Sequence, residues 1–266
     1  MDVALSTVST RRGIDATVRT RGDGPPLVWL HGAGGPFPIE PMLDVLAEHY
    51  TVHAPEWPGY GEQPTEGHLH DMLDFTLHGW DVIDALGLDR PHLVGHSMGG
   101  MIAAEMAAVN PSGLSSLTLV CAVGLWLDEH PVPDIFSMLP FELADVLFAD
   151  PKVGEVVLTA GLDFSDDAAL TAFMVGNARR LGTAGKILFP IPNRRLSDRL
   201  YRVTTPTLLL WGTSDRLVPP VYAERFRELL VSTDAALVTV PDAGHMLPYE
   251  QPAAGARAVL DFLRRD

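Results

Sequence analysis

The sequence predicts an α/β fold: a mostly parallel sheet with helices on both faces and an inserted helical cap. Three observations predict it. Short apolar runs alternate with stretches of helical period between residues 27 and 120, and again from 207 onward. The run at 27–30 is apolar throughout, which suits a strand covered on both faces. Between the two alternating parts, residues 124–200 carry helical periodicity and no clear strand.

Each element has its own signal. Residues 2–9 and 14–20 alternate apolar and polar, as a hairpin with one wet face does. Pro25-Pro26 stop that pairing, and 27–30 (Leu-Val-Trp-Leu) read as a strand buried on both sides. The turn His31-Gly32-Ala33-Gly34-Gly35-Pro36 follows, and then Met42, Leu43, Leu46 and Ala47 recur at helical spacing. Residues 51–54 form the next strand, ending in the turn 55–61. Residues 70–87 read as a helix with Leu73, Leu77, Trp80 and Ile83 on one stripe and Gly87 placed to end it. A strand at 91–94 precedes a helix at 98–109 that is apolar nearly all round, so it is expected to be central and buried. Residues 117–120 are another strand.

In 124–200, helices are expected over 135–148, 151–160 and 168–181, punctuated by Pro131, Pro133, Pro140, Pro151, Pro190 and Pro192. The rhythm returns with a strand at 207–211, a helix at 221–230, a strand at 236–240 and a closing helix at 252–265. The expected division is therefore a core in two parts, 1–123 and 201–266, with 124–200 as the cap.

Composition narrows the function. Apolar residues make up 47% of 266, enough for a sizeable core. Lys plus Arg is 19 against 34 Asp plus Glu, a formal charge of −15. That excludes the basic surface a nucleic-acid binder needs and disfavours anionic membranes. The single cysteine, Cys121, allows no disulfide within the chain and no multi-cysteine metal cage, and reads as a core residue. Residues 1–6 carry no basic flank before an apolar run, and no apolar stretch approaches the roughly 18 residues of a membrane span. The expectation is a soluble, acidic, cytoplasmic protein. It acts on a small-molecule substrate without cofactor, metal, nucleic-acid or membrane partner, with homo-oligomerisation left open.

The sharpest motif is Gly95-His96-Ser97-Met98-Gly99-Gly100, a G-x-S-x-G between a predicted strand and a predicted helix. A tight turn there strains the serine backbone and exposes its hydroxyl, while flanking side chains would collide. The helix beginning at Met98 aims its free N–H groups at the serine. A serine hydroxyl needs a general base, and the base needs an orienting acid. His245 follows the last strand and Asp215 the strand before it, so both fall on the rim where Ser97 sits. The order Ser97, Asp215, His245 fits this architecture. The Gly-rich turn after the first buried strand lies on the same rim, so the N–H groups of Ala33 and Met98, with Gly34 in reserve, form a candidate oxyanion hole. A phosphate loop is the rival reading, but the P-loop lysine and the dinucleotide glycine spacing are both missing. His68-x-His70-Asp71 lacks a third metal ligand and reads as a surface loop.

The glycine loop at 31–35, Pro58-Gly59-Tyr60-Gly61, residues 95–100, Asp215 and Gly244-His245 together make the chain resemble the α/β-hydrolase superfamily. The resemblance implies an α/β-hydrolase fold with Ser97 as nucleophile, His245 as base, Asp215 as acid, and a cap over a buried pocket. A serine at the elbow excludes the dehalogenase and epoxide hydrolase branches, which carry aspartate there. Two branches compete: hydrolysis of carboxylic esters or lactones, and C–C bond hydrolysis of ring-cleavage diketo acids. In the second branch a tryptophan usually follows the histidine closely, and a cap arginine takes the substrate carboxylate. Met246-Leu247-Pro248-Tyr249 contains no tryptophan, which favours esters. Arg179-Arg180 and Arg194-Arg195 are available in the cap, although solvated surface charge is their ordinary role. Candidate substrate contacts are His31, Trp126, Phe136 and Arg179. A ligand receptor with a vestigial triad is the alternative from outside enzymology.

Overall fold

A computed structural model describes residues 2–61, 63–159, 162–163, 165–191 and 194–264. The expected helix ends at 160 and 265, Pro192, and the side chain of Phe141 lie outside what is described. The core is one eight-stranded sheet. Its strands are β1 (Ala4–Ser9), β2 (Asp15–Arg21), β3 (Pro26–Leu30), β4 (Thr51–Pro55), β5 (His92–His96), β6 (Ser116–Val120), β7 (Thr207–Gly212) and β8 (Ala235–Val240). The spatial order is β1-β2-β4-β3-β5-β6-β7-β8, antiparallel at β1/β2 and β2/β4 and parallel from β4 onward. β3, β5, β6 and β7 are buried along almost their whole length, as strands covered on both faces are.

The helices of the core are α1 (Pro41–Leu46), α2 (Met72–Ala85) and α3 (Met98–Val109), with α7 (Val221–Leu229), α8 (Leu247–Glu250) and α9 (Pro252–Leu263) after β7. The chain moves from β3 to β4 in one direction across the sheet, and from β4 to β5 to β6 in the other. Right-handed crossovers therefore put α1 on one face and α2 and α3 on the opposite one. The loops after β3 and β5 leave neighbouring strands toward opposite faces. A crevice opens between them at the carboxyl edge, where open α/β sheets bind ligands.

α3 is buried on every side, as its composition predicts. Gly87 ends α2 at φ +67°: Gly87 N–H donates to Asp84 O and Leu88 N–H to Ile83 O, a Schellman closure. Half of the expected α2 stripe holds: Ile83 is buried and Trp80 packs against the core. Leu73 and Leu77 are exposed, and Met72, Phe75, Gly79 and Val82 face inward. The reason is the close crossing with α3: a Cβ on Gly79 would lie 2.6 Å from Met106 Sδ, so the glycine side is the one that fits. On the hairpin, only β2 turns a buried face inward, through Ala16 and Val18 against Val82; the edge strand β1 is largely exposed.

Between β6 and β7 lie α4 (Pro140–Leu147), α5 (Pro151–Thr159) and α6 (Asp167–Leu188), then two short 3-10 turns at 196–198 and 200–202. No strand occurs there among the described residues. α4 begins five residues later than expected, because Pro140 occupies the first helical turn and Asp134 holds 134–137 in a side-chain-capped turn. α6 runs seven residues past its expected end. Its last turns bury Thr183, Ala184, Ile187 and Leu188, which outweighs the roughly 1 kcal/mol that each of Gly182 and Gly185 costs a helix.

Candidate active site

Ser97 sits where β5 gives way to α3, at φ +55° and ψ −117°. Such a backbone costs on the order of 1–3 kcal/mol. It is held by Ser97 N–H to Val120 O (2.9 Å) and by Met101 and Val123 N–H to Ser97 O. The glycines are steric requirements. A Cβ on Gly95 would stand 2.3 Å from Gly99 O, and one on Gly99 would stand 2.2 Å from Leu30 O.

Asp215 lies just beyond β7 and His245 just beyond β8. Ser97 Oγ is 2.8 Å from His245 Nε2, and His245 Nδ1 is 2.9 Å from Asp215 Oδ2. The other carboxylate oxygen accepts from Leu217 N–H (3.0 Å) and Val218 N–H (2.8 Å), which fixes its plane. All three side chains are buried. The three predicted residues, 148 positions apart at the extremes, thus form one hydrogen-bonded line.

Several positioning groups give no sequence signal of their own. His96 Nε2–H donates to His245 O at 2.9 Å, and burial pushes its imidazole down to about 3, so it stays neutral. Glu250 accepts from Gly244 N–H (2.7 Å) and Ala149 N–H (2.8 Å), tying the histidine loop to the end of α4. Arg216, next to Asp215, donates to Asp145 O and Phe148 O of the same region. An acid five residues after the histidine is the only hint the sequence carries, and it names no partner.

The loop after β3 lies against the serine: a Cβ on Gly32 would be 3.2 Å from Ser97 Cβ. Gly35 N–H donates to Gly32 O, closing a turn with Ala33 and Gly34 at its corners, and Tyr60 Oη donates to Ala33 O at 3.1 Å. Ala33 and Gly34 border the space beside Ser97, and Met98 opens the first turn of α3, where N–H groups have no helical partner. His31 also borders this space, but both ring nitrogens are spoken for. Nδ1–H donates to Gly32 O (2.8 Å), and Nε2 accepts from Trp57 N–H (3.3 Å). Burial lowers its pKa to about 4. His31 therefore holds the loop and leaves no polar atom free for a ligand.

A cavity of about 690 Å³ opens beside Ser97, between the carboxyl rim and α4–α6. Its wall is mainly apolar, including Leu147, Leu158, Phe173 and Leu181. Two arginines reach it, Arg19 and Arg180, and no aspartate or glutamate does among the described residues. Arg19 is paired with Glu56 at 2.8 Å. Arg180 makes no ion pair among the described residues, and burial lowers its pKa.

Three expected substrate contacts fall elsewhere. Arg179 turns away and donates to Gly61 O and Gln63 O, because one step along a helix rotates a side chain by about 100°. Phe136 packs against Phe189 at 4.7 Å, and its neighbour Ile135 lines the cavity instead. Trp126 bonds Asp128 (2.8 Å) and does not border the cavity. Asp71 is used as the N-cap of α2, accepting from Leu73 and Asp74 N–H, so the His68–Asp71 loop is a capping loop. Cys121 is buried as expected, with its Sγ within 4.8 Å of ligand atoms of Asp215 and His245. Burial first, and then the Asp215 charge, push its thiol well up, so it is protonated.

The sequence pattern of the alpha/beta hydrolase fold matches residues 25–252. The chain belongs to this family. It is 25% identical to a 2-hydroxy-6-oxo-6-(2'-aminophenyl)hexa-2,4-dienoic acid hydrolase of Metapseudomonas resinovorans, over 95% of this chain and 89% of that one. It is 28% identical to a 2-hydroxy-6-oxo-2,4-heptadienoate hydrolase of Pseudomonas putida, over 94% and 93%. The fold superposes on a bacterial membrane phospholipase A with a TM-score of 0.80 at 23% identity, covering 99% of this chain and 86% of that one. The chain is thus an α/β hydrolase. No described helix is long and apolar enough to cross a membrane.

Proposed function

We propose that this hydrolase is a serine hydrolase that cleaves a carboxylic ester or lactone through an acyl-enzyme. The observation that carries this reading is the unbroken line from Ser97 Oγ through His245 to Asp215 beside the cavity. His245 Nε2 accepts the Ser97 proton as Oγ bonds to the carbonyl carbon. The N–H groups of Ala33 and Met98, with Gly34 as a further donor, hold the oxyanion. The C–O bond to the leaving group breaks, and the proton passes from His245 to the departing oxygen. Water then gives a proton to His245 and bonds to the acyl carbon, and Ser97 Oγ leaves with that proton. Asp215 keeps Nδ1 protonated and stabilises the imidazolium. Residues 124–200 act as the cap that walls the cavity. Arg180, the unpaired cation in an apolar chamber, holds an anionic group of the substrate.

A second reading is favoured by Arg180 together with the two relatives named as dienoate hydrolases. In it the same residues cleave the C–C bond of a vinylogous diketo acid, with the carboxylate at Arg180. Against it, no tryptophan follows His245, although Tyr249 borders the cavity from that loop.

The deciding experiment pairs an ester panel with ultraviolet decay of a 2-hydroxy-6-oxo-dienoate, using wild type and Ser97→Ala. Ester turnover lost in the variant supports the first reading. Dienoate decay without ester turnover replaces it with the second. No labelling of Ser97 by a fluorophosphonate would sink both.

A further inference from the structure

Ser97 stands between two spaces of very different size. The large cavity has about 690 Å³ and a second compartment about 40 Å³. They share Ala33, Ser97, Ile135 and Leu217. The small compartment lies between α3, the chain before α4 and the end of α6, and is lined by Met101, Val123, Val132, Leu188 and Ile191. At roughly 10–15 Å³ of such space per water-sized atom, it holds about three heavy atoms. Among the described residues its wall beyond the serine is apolar apart from Arg194.

The two spaces are not equivalent chemically. His245 borders the large cavity and not the small compartment. The atom that departs from the tetrahedral intermediate must take its proton from His245 Nε2, so it has to lie on that side. The group that stays on Ser97 then extends into the other space. Arg180 also lies in the large cavity, so an anionic substituent belongs to the departing half.

We propose that the enzyme is a short-acyl hydrolase. The acyl half of its substrate has two to about four carbons, and the leaving half is the bulky, anion-bearing part. The size limit is set by Val132, Leu188 and Met101 around the small compartment. The proposal rests on the serine-hydrolase reading above, and it holds for either bond type, because the acyl group remains on Ser97 in both.

The test is a series of acyl esters, acetate to octanoate, of one bulky, carboxylate-bearing phenol. It is run beside the reversed series, methyl to octyl esters of one bulky acid. The expected result is a fall in kcat/KM of at least about tenfold between butanoate and octanoate. The reversed series, with its bulk on the acyl side, is poor throughout. Val132→Ala moves the limit out by one or two carbons. Octanoate cleaved as well as acetate, with turnover lost in Ser97→Ala, overturns the short-acyl assignment and leaves the serine hydrolase standing. If no ester turns over but a fluorophosphonate labels Ser97, the limit is read from labelling rates. Methylphosphonofluoridate reacting faster than the octyl analogue supports the assignment, and equal rates overturn it. No turnover and no labelling removes the reading on which it rests.

Discussion

The carboxyl rim of the sheet and the helical insertion above it use their residues in opposite ways. On the rim, backbone geometry fixes each side chain: Ser97 by a strained turn, Asp215 by two N–H donors, and His245 by hydrogen bonds to neighbours on both sides. In the insertion, α5 and the first turns of α6 leave Val156, Met174 and Val175 largely exposed, and burial resumes only near Thr183. The end of α4 is tied to the rim through Glu250, Arg216 and Met246 N–H to Leu147 O, and α6 to the chain after β4 through Arg179 and Lys186. The contrast teaches that turns fix the side chains of the rim while helix rotation decides which side chains of the insertion face the cavity.

The largest expected effects lie on the rim. Ser97→Ala should lower kcat by about 10⁴-fold or more with the melting temperature little changed, and Asp215→Asn by up to about 10⁴-fold. Activity surviving in purified Ser97→Ala would remove the rim from the chemistry. Gly99→Ala should act on folding instead. Its Cβ would stand 2.2 Å from a backbone oxygen that cannot swing away, so a loss above about 4 kcal/mol, read as insoluble protein, is expected. The same change at Gly176 or Gly182 of α6, where a Cβ meets nothing within 4 Å, should be neutral or stabilising by up to about 1 kcal/mol. Equal destabilisation at all three positions would erase the contrast.

A pH titration probes the core from another side. Burial lowers the pKa of His31 and His78 to about 4 and of His96 to about 3, against the ordinary 6.5. Below pH 6.5 the unfolded chain takes up protons that the folded chain refuses. Stability is therefore full above 6.5 and is lost as the pH falls toward 4, by up to about 1.4 kcal/mol per histidine per pH unit. Carboxylates add to acid sensitivity, so the informative comparison is His78→Phe. His78 lies in α2 near Trp57, away from the reacting groups, and neither ring nitrogen finds a partner among the described residues. Denaturant midpoints from pH 7.5 to 4.5 should fall less steeply in that variant, by up to one proton's worth. Parallel slopes would mean that His78 is not held neutral.

The same contrast explains what was legible in the sequence. The strands that carry the site could be read because fully buried runs leave no ambiguity of face. Ser97 and Asp215 could be read because each follows such a run, and His245 from its place just beyond the last strand, which is only partly buried. The α2 stripe could be read only at Trp80 and Ile83, since Leu73 and Leu77 share the helical period of Met72 and Phe75, and only the crossing at Gly79 selects between them. In the insertion the expected contacts Trp126, Phe136 and Arg179 do not border the cavity, and the adjacent Ile135 and Arg180 do. A one-residue error is invisible in composition and decisive in space. Glu250 and His96 escaped because their partners are main-chain atoms, which leave no mark on the residues they bind.

The arginine pair sharpens this point most, although its effect is the smallest. Arg180→Met removes the unpaired cation from the cavity, and Arg179→Met removes a side chain bound to main-chain oxygens outside it. A hydrogen bond to a charged group is worth roughly 1.5–3 kcal/mol. Arg180→Met should therefore reduce kcat/KM for a carboxylate-bearing substrate by about 10- to 100-fold. Its effect on the neutral isostere should be small, and it should not lower the melting temperature. Arg179→Met should do the reverse, leaving both substrates within about twofold and costing about 0.5–1.5 kcal/mol of stability. The two variants differ by one position on one helix, so they share composition, charge change and local propensity. Any difference between them comes from the direction of the side chain alone. If both variants lost the anionic substrate equally, net positive charge near the entrance would be the recognising element and the rotation argument would fail.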